Sequence, residues 1–320
     1  MKKYTILVSG ASGIVGYGIL KSLRRAACKL IGTTIYEESP ANCFADIVET
    51  APMTDENRYL PWLISVVEKY HVDMIIPGIE ADVFSWAQNK KEIQKSGVKI
   101  LLNNCDLIEL CKDKWNFYKK LKSEGFDHCI PTSVTPNMDQ FALPFILKPR
   151  CGYGSKGFIK IESKEKYELY KNRIGNELVM QEYIGSDDEE YTVSAFFDHN
   201  SALKSHIVMK RKLSREGFTE IAEVVFQNEI LKIVNELAEI FKPVGVTNFQ
   251  FRKDKDDWKL LEINPRFSSS TSIRSEFGYN EAKMCIDYFL EGKEIVQPKL
   301  KTGKAIRYVE DYIFYDSDNI

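Results

Sequence analysis

The chain has 320 residues, 44% of them hydrophobic and 28% charged, and its 44 lysines and arginines nearly balance 46 aspartates and glutamates, for a net charge of −2. This is the composition of a globular protein long enough for about two or three subdomains, and the charge balance indicates neither a nucleic-acid nor an anionic-membrane partner. The N-terminal apolar run breaks at Gly10 and no run of about 18 apolar residues follows, so we expect no secretory signal and no membrane span, and we predict a cytoplasmic protein.

The first hundred residues alternate between strand-like and helix-like segments. Tyr4 to Val8 predicts a buried strand, and the glycine-rich turn from Gly10 to Gly16 leads into a helix with one apolar face. The later elements continue the pattern: strands over 29–35, 46–49, 73–76 and 98–101, and helices over 57–70 and 80–95. This order predicts an open parallel βαβ sheet.

The glycine-rich turn has two interpretations. G-A-S-G-I-V-G between strand and helix has the form of a dinucleotide fingerprint, whose glycines let a pyrophosphate approach the helix N-terminus, and Glu37 or Glu38 would then bind the ribose. Alternatively, Gly13 and Gly16 only allow the first helix to pack closely on the sheet. The motif by itself does not decide between a nucleotide site and a packing turn.

Two acids follow the strand that ends at residue 76. Glu80 and Asp82 lie at the carboxyl end of that strand, where doubly wound sheets bind their ligands. Acids are also favoured in the first turn of a helix by its dipole. Contact with a substrate and a purely helical role therefore both stay open.

A second glycine-rich segment follows a strand that ends in Lys148. Gly152, Gly154 and Gly157 lie in the loop behind this strand, and the loop leads into another strand. A Walker A loop or a Rossmann turn would require a following helix. Backbone N–H groups and a nearby ammonium suit phosphate oxygens, so we predict a hairpin laid over phosphates, with a solvent-exposed hairpin as the alternative.

Charged residues mark the strands of the middle of the chain. Glu190 lies at the edge of a predicted strand over 191–197. We select it as a ribose ligand, because a carboxylate can accept hydrogen bonds from both ribose hydroxyls. Lys210, Arg211, Lys212 and Arg215 crowd the turn between the next two strands, which is costly unless an anion or solvent meets them.

The most specific pattern is W-K-L-L-E-I-N-P-R-F at 258–267. It predicts a buried strand on which Glu262 and Asn264 share one face, because side chains alternate along a strand. The charged turn at 253–257 would fold this strand against the preceding one and bring Gln250 beside Glu262.

Carboxylate and amide oxygens such as those of Gln250, Glu262 and Asn264 are the ligands that Mg²⁺ takes together with substrate phosphates. Arg266 adds a planar cation for a carboxylate or a transferring phosphoryl group. A hairpin edge with solvated polar side chains is the alternative.

In order, these motifs resemble the ATP-grasp superfamily, and most of all the large-subunit branch of carbamoyl-phosphate synthase. The resemblance rests on K-P with its glycine hairpin, on Q-E-Y-I-G followed by E-E-Y-T-V, and on N-F-Q-F followed by L-E-I-N-P-R-F-S-S-S. It implies an open parallel pre-ATP-grasp domain over 1–106 and, over 107–320, an ATP-grasp fold of two α+β subdomains with a small lid at 128–184.

The resemblance also implies roles by position. It assigns the nucleotide to Lys114, Lys148, Gly152, Gly154, Ser155, Gly157, Gln181, Glu182, Tyr183, Ile184 and Glu190. Within this set it implies that residues 181–184 form the hinge that holds adenine and that Glu190 binds the ribose. It assigns one or two magnesium ions to Gln250, Glu262 and Asn264. It implies that the transferring phosphoryl group meets Arg266 and one of Lys210, Arg211 and Lys212.

Carbamoyl-phosphate synthase carries two ATP-grasp halves, whereas this chain has one, so the resemblance implies carboxylate–amine ligation through an acyl-phosphate. The implied cofactors are ATP and Mg²⁺, with Mn²⁺ as an alternative, and the implied partners are a small acid and a small amine, with a homodimer left open. One rival is an NAD(P)-dependent epimerase or reductase, for which Tyr167 and Lys171 would be the Tyr-x-x-x-Lys pair. The other rival is a non-catalytic ATP-binding module.

Overall fold

The computed structural model describes residues 3–152, 157–186 and 188–313. It divides into two compact units, one formed by residues 1–101 with the chain from Ala305 onward, and one formed by residues 102–304. The sequence placed everything after residue 106 in the second domain, whereas the chain from Ala305 onward groups with the first unit. There Arg307 Nη1 donates to the Tyr17 hydroxyl at 3.2 Å. This contact joins residues that are far apart in the sequence, so no local sequence pattern predicts it. No helix in the described part of the chain is both long and apolar enough to span a membrane.

The first unit is a parallel sheet with helical connections, as predicted. The strands pair in the order β3-β2-β1-β4-β5, and each pairing is parallel. The predicted helix over 80–95 is instead two helices, because Asn89 ends the first by donating to the Ser85 carbonyl at 2.9 Å. The elements are β1 (Tyr4–Val8), α1 (Ile14–Leu23), β2 (Cys28–Thr34), β3 (Ile47–Thr50), α2 (Tyr59–Tyr70), β4 (Met74–Ile76), α3 (Glu80–Gln88), α4 (Lys90–Gln94) and β5 (Lys99–Ile100).

The glycine-rich turn brings backbone segments of the first unit into close contact. A Cβ on Gly16 would lie 2.2 Å from the Gly10 carbonyl oxygen, and one on Gly78 would lie 2.1 Å from the Ser9 carbonyl oxygen. Both distances are far below van der Waals contact, so α1 packs against the ends of β1 and β4 only because these side chains are absent. This geometry accounts for the glycines by packing.

We expect Gly16→Ala to destabilise the first unit by roughly 1–3 kcal/mol, because its Cβ would meet backbone that cannot move aside. Gly13→Ala is the matched control, since its Cβ would lie 3.3 Å from the same carbonyl oxygen. Urea unfolding followed by circular dichroism measures both variants. Equal midpoints for the two alanine variants would contradict the packing role.

A large sheet has the strand order β14-β13-β10-β11-β12-β15, and its pairs from β14 to β12 are antiparallel. Helix α8 packs its apolar stripe on one face of this sheet through Val234, Leu237 and Phe241. The elements of this part are α5 (Cys105–Cys111), α6 (Lys114–Ser123), β10 (Glu190–Phe197), β11 (Leu203–Leu213), β12 (Thr219–Val225), α8 (Asn228–Phe241), β13 (Gly245–Asp254), β14 (Asp257–Asn264), α9 (Thr271–Glu276), α10 (Glu281–Phe289) and β15 (Lys304–Ile306).

The two faces of the large sheet differ in character. Side chains alternate between faces along each strand, so the paired row of Thr192, Gln250 and Glu262 lies on the face opposite to Phe249 and Ile263. Phe249 and Ile263 belong to the buried core beneath α8. The sheet thus carries an apolar core on one side and a row of polar side chains on the other.

A smaller antiparallel sheet lies within the predicted lid at 128–184 and is called the lid sheet; its strand order is β6-β9-β7-β8. One face packs Phe145, Leu147 and Met180 into a core of its own. By alternation, Lys148 and Gln181 lie on the opposite face. The lid elements are β6 (Thr132–Ser133), β7 (Phe145–Pro149), β8 (Ile159–Ile161), α7 (Lys164–Glu168) and β9 (Leu178–Glu182).

Candidate active site

The β13–β14 hairpin brings the predicted metal ligands together. Gln250 pairs directly with Glu262 across the two strands, as the sequence predicted, and Asn264 Nδ2 donates to Glu262 Oε1 at 2.8 Å. Arg266 Nη2 donates to Asn264 Oδ1 at 3.2 Å. A carboxylate, two side-chain amides and a guanidinium therefore occupy one end of the polar face.

The charges around Glu262 favour its ionised form. Burial alone would raise the pKa of Glu262, but the Asn264 amide and the ammonium groups of Lys148 and Lys114 together hold that pKa below its usual range. Burial lowers the pKa of Lys148 to about 8, although the Glu262 carboxylate acts in the opposite direction. Burial likewise lowers the pKa of Lys114. These three groups are thus electrostatically coupled.

The lysines are placed by different elements of the second unit. Lys148 lies on lid strand β7, whereas Lys114 begins helix α6, whose N-cap Asp113 accepts hydrogen bonds from the next backbone N–H groups. Lys114 Nζ donates to the Gly152 carbonyl at 2.8 Å, which ties the helix to the glycine-rich loop. Gly157 has a φ of +77°, and a Cβ there would lie 2.9 Å from Pro149 Cγ. The predicted phosphate ligands Gly154 and Ser155 lie outside the described residues.

The Gln181 side chain lies on the same face of the lid sheet as Lys148, and its Oε1 is a buried acceptor. Its Nε2 donates to Thr132 Oγ1 at 2.9 Å, while the Thr132 hydroxyl donates its own hydrogen to the Ile130 carbonyl. Because a hydroxyl has only one hydrogen, this arrangement fixes the orientation of the Gln181 amide. Gln181 Oε1 then has no hydrogen-bond partner within the described ranges, although the residue is 8% exposed. A buried acceptor of this kind requires a donor from a ligand or from water.

The remaining predicted hinge residues leave lid strand β9 in sequence. Glu182 donates its backbone N–H to the Pro131 carbonyl at 3.1 Å. The Tyr183 ring lies 4.7 Å from Lys160 Nζ and 5.8 Å from Arg252 Cζ, measured to the ring centroid. Ile184 is buried. The segment thus connects the lid sheet to the large sheet, and two cations lie near its Tyr183 ring.

Glu190, predicted to bind ribose, lies between two arginines. Its Oε1 accepts hydrogen bonds from Arg211 Nε at 3.1 Å and Nη2 at 2.7 Å, and its Oε2 accepts one from Arg252 Nη2 at 3.1 Å. Arg211 Nη2 also donates to Gln250 Oε1 at 2.6 Å. A continuous set of contacts therefore joins the proposed ribose acid to a proposed metal ligand.

The three adjacent cations on β11 do not act together. Arg211 is buried on the polar face, beside Gln250, whereas Lys210 pairs with Glu189 and Lys212 is exposed. Strand alternation places both lysines on the face opposite to Arg211. The structure therefore brings Arg211 to the site and does not bring Lys212 there.

A buried ionic cluster lies farther along the polar face, and the sequence did not predict it. Arg274 is fully buried, donates to Asn248 Oδ1 at 2.6 Å and Thr192 Oγ1 at 2.8 Å, and pairs with Glu281 at 3.3 Å. Thr271 and Ser194 donate hydroxyl hydrogens to the Glu281 carboxylate. The hydroxyl-rich run before Arg274 was a signal for a buried polar cluster, but the partners come from distant strands. The run is partly helical, as α9.

The Tyr167–Lys171 pair of the reductase hypothesis and the possible substrate ligand Asp82 have structural partners. Tyr167 is buried in the lid core against Phe145, and Lys171 pairs with Glu168 at 2.5 Å. Asp82 is buried in the first unit, where the Thr54 and Tyr59 hydroxyls each donate to it at 2.7 Å. Burial raises the pKa of Asp82 despite these donors. These contacts explain Tyr167 and Asp82 as structural groups.

The donor set on the polar face fits a magnesium ion with a nucleotide. Glu262 supplies a carboxylate whose pKa is lowered, and Gln250 and Asn264 supply amide oxygens, the ligand type that Mg²⁺ takes in combination with phosphates. Each amide oxygen accepts one hydrogen bond from an arginine and has a second lone pair. The unsatisfied Gln181 acceptor fits a ligand with an N–H donor.

Two family models match separate parts of the chain. Residues 7–101 match the model described as "PylC-like, N-terminal domain". Residues 175–312 match the model described as "ATP-grasp in the biosynthetic pathway with Ter operon", and this range includes Glu190, Gln250, Glu262, Asn264 and Arg266.

Curated relatives are longer than this chain. The large chain of carbamoyl phosphate synthase from Clostridium acetobutylicum is 24% identical over an alignment that covers 99% of this chain and 32% of that protein. The formate-dependent phosphoribosylglycinamide formyltransferase from Prochlorococcus marinus is 25% identical over 58% of this chain and 48% of its own length. The chain thus spans less than half the length of either relative.

Solved structures share the fold at low sequence identity. N5-carboxyaminoimidazole synthetase from Staphylococcus aureus, complexed with ADP, superposes with a TM-score of 0.74 and 19% identity, covering 93% of this chain and 80% of that one. Biotin carboxylase from Campylobacter jejuni gives a TM-score of 0.75 and 17% identity, covering 94% of this chain and 74% of that one. The predicted combination of a parallel-sheet domain with an ATP-grasp fold is confirmed by these matches.

Proposed function

We propose that this protein, which matches an ATP-grasp model over residues 175–312 and a PylC-like N-terminal model over residues 7–101, is an ATP- and Mg²⁺-dependent ligase. In this proposal it activates a small carboxylic acid as an acyl-phosphate and joins it to an amine. The observation that carries the proposal is the placement of Glu262 beside Gln250 and Asn264, with its pKa lowered by Lys148 and Lys114. A carboxylate among cations and amide oxygens suits a polyphosphate with its metal better than it suits a nicotinamide.

The proposed chemistry needs charge neutralisation more than a protein nucleophile. The acid oxygen attacks the γ-phosphorus of ATP and ADP leaves, and the amine nitrogen then attacks the acyl carbon and releases phosphate. Bound Mg²⁺ would supply a Lewis acid that offsets the phosphate charge. Glu262 holds the negative charge that such an ion requires, and Lys148 and Lys114 supply positive charge for phosphate oxygens.

Arg266 and Arg211 have different positions in this scheme. Arg266 follows the metal ligands directly and contacts Asn264, which suits it to stabilise charge on the transferring phosphoryl group. Arg211 holds the Gln250 amide, and in the proposal it orients that ligand. Manganese would suit the same oxygen ligands.

Hydroxylamine trapping tests the proposal without knowledge of the amine. An acyl-phosphate reacts with hydroxylamine to give a hydroxamate, so we expect hydroxamate, ADP and phosphate in equal amounts when the protein is incubated with MgATP and its acid from a panel of small carboxylates. EDTA should abolish the signal. Binding of MgATP without turnover across the panel would favour the non-catalytic module, and thermal stabilisation by NAD(P)H alone would favour the reductase.

Gln181 supports adenine as the base, and this gives a prediction. Gln181 Oε1 is a fixed acceptor, which suits the exocyclic amine of adenine and repels the carbonyl oxygen of guanine. We expect Gln181→Leu to reduce the preference for ATP over GTP by roughly 10-fold, since an unmade buried hydrogen bond costs about 1–3 kcal/mol. Equilibrium binding of both nucleotides measures the ratio. Gln140→Leu, an exposed position of the lid, is the control, and an unchanged ratio in Gln181→Leu would contradict the assignment.

A further inference from the structure

The start of the linker between β9 and β10 passes directly over Arg252. Gly185 has a φ of +61°, and a Cβ there would lie 2.5 Å from the Lys253 carbonyl oxygen and 3.0 Å from Arg252 Cγ. The Lys253 N–H donates to the Glu189 carbonyl at 3.0 Å. The linker is therefore held closely against strand β13, and only glycine permits its approach at residue 185.

The Arg252 head group contacts both ends of this linker. Its Nη1 donates to the Ile184 carbonyl at 3.4 Å, its Cζ lies 5.8 Å from the Tyr183 ring centroid, and its Nη2 donates to Glu190 Oε2 at 3.1 Å. The side chain is 13% exposed. One planar guanidinium thus contacts the proposed adenine segment and the proposed ribose acid together.

From these contacts we infer that Arg252 is a positioning residue for the nucleoside half of ATP. The inference rests on the proposed function, because it takes residues 181–184 and Glu190 as the nucleoside site. A guanidinium donates in fixed directions from a planar fork, so it holds the hinge carbonyl and the Glu190 carboxylate at a constant separation. A site held in its binding geometry loses less conformational entropy when the ligand binds.

The triphosphate half of the site is held by other groups. Lys148 and Lys114 are the ammonium groups coupled to Glu262, and Lys114 donates to the Gly152 carbonyl. Arg252 instead donates to the Ile184 carbonyl. Loss of Arg252 should therefore weaken recognition of adenosine far more than recognition of the phosphate chain, toward which Arg252 acts only through its charge near Lys148. This difference between the two affinities distinguishes a positioning role from a general structural role, because a structural role would weaken binding of adenosine and of the phosphate chain alike.

Isothermal titration of ATP and of inorganic tripolyphosphate, both with Mg²⁺, tests the inference. We expect Arg252→Met, which keeps the apolar stem over Gly185, to weaken ATP binding about 10- to 100-fold, because hydrogen bonds to charged groups are lost. Tripolyphosphate affinity should change less than about twofold. Arg252→Lys should give an intermediate ATP affinity, since it keeps the charge beside Glu190 but not the fork. Arg173→Met, at an exposed lid arginine, should match the wild-type protein.

Two results would overturn the inference. One is unchanged ATP affinity in both Arg252 variants, and the other is an equal loss of ATP and tripolyphosphate binding. If Arg252→Met does not fold, the Arg252→Lys protein decides by the same comparison. A wild-type protein that binds neither ligand would refute the proposed function and this inference with it, whereas binding by wild type with no selective loss in the variants refutes the inference alone.

Discussion

Glu262→Gln should lower the rate of ATP-dependent hydroxamate formation by about 100-fold or more, since it removes the charged member of the proposed metal site. The substitution keeps the size of the side chain and its ability to accept from Asn264 Nδ2. It removes the negative charge that favours the protonated forms of Lys148 and Lys114. The change should thus affect turnover and metal affinity far more than folding, which a Mg²⁺ titration of the rate and a thermal melt measure separately.

The matched control is Glu220→Gln on β12, where the side chain is exposed. That variant should retain wild-type turnover and wild-type dependence on Mg²⁺. If Glu262→Gln keeps more than about a tenth of the wild-type rate, the carboxylate is not needed for the metal, and the assignment of the polar face as the metal site is wrong. Loss of the native melting transition would instead indicate that the glutamate is a structural group.

The hairpin that carries Glu262 could be predicted from local pattern because its physics is local. A charged turn at 253–257 joins two strand-like runs, Glu262 and Asn264 are two residues apart, and side chains on one face of the hairpin must then be neighbours. The exact pairing is less local: the register set at the turn would place Gln250 opposite Leu261, and the irregularity between Gln250 and Phe251 brings Gln250 opposite Glu262 instead. Local pattern also predicts the parallel sheet of the first unit, where strand and helix periods alternate.

Contacts that join distant segments could not be predicted in this way. Arg274 is buried by partners on β10, β13 and α10, and nothing in its own neighbourhood shows which strands will cover it. Arg252 lies just before the charged turn at 253–257 and was assigned no role from the sequence, because its partners are in the linker and on β10. The separation of Arg211 from Lys212 follows from strand alternation, but only after the strand is known to continue to Leu213.

The affinity for Mg-nucleotide should fall as the pH rises above about 8, because burial lowers the pKa of Lys148 to about 8 in the free protein. Below that pH the ammonium is present and attracts phosphate oxygens. Above it, nucleotide binding must first restore the proton, so the dissociation constant should increase by about tenfold for each pH unit well above the pKa. Phosphate itself is fully ionised above about pH 7.5 and does not add to this slope.

Lys148→Met should abolish most of this pH dependence and weaken nucleotide binding at pH 7.5. Burial also lowers the pKa of Lys114, so any pH dependence that remains in the variant is assigned to that lysine. Lys166→Met, at a lysine on the lid surface, serves as the control and should follow the wild-type profile. Titrations of ADP with Mg²⁺ between pH 7.5 and pH 9.5 measure all three proteins. A wild-type affinity that is flat across this range would show that Lys148 does not bind phosphate as a cation, because a lysine that titrates in this range and contacts phosphate must link the two equilibria.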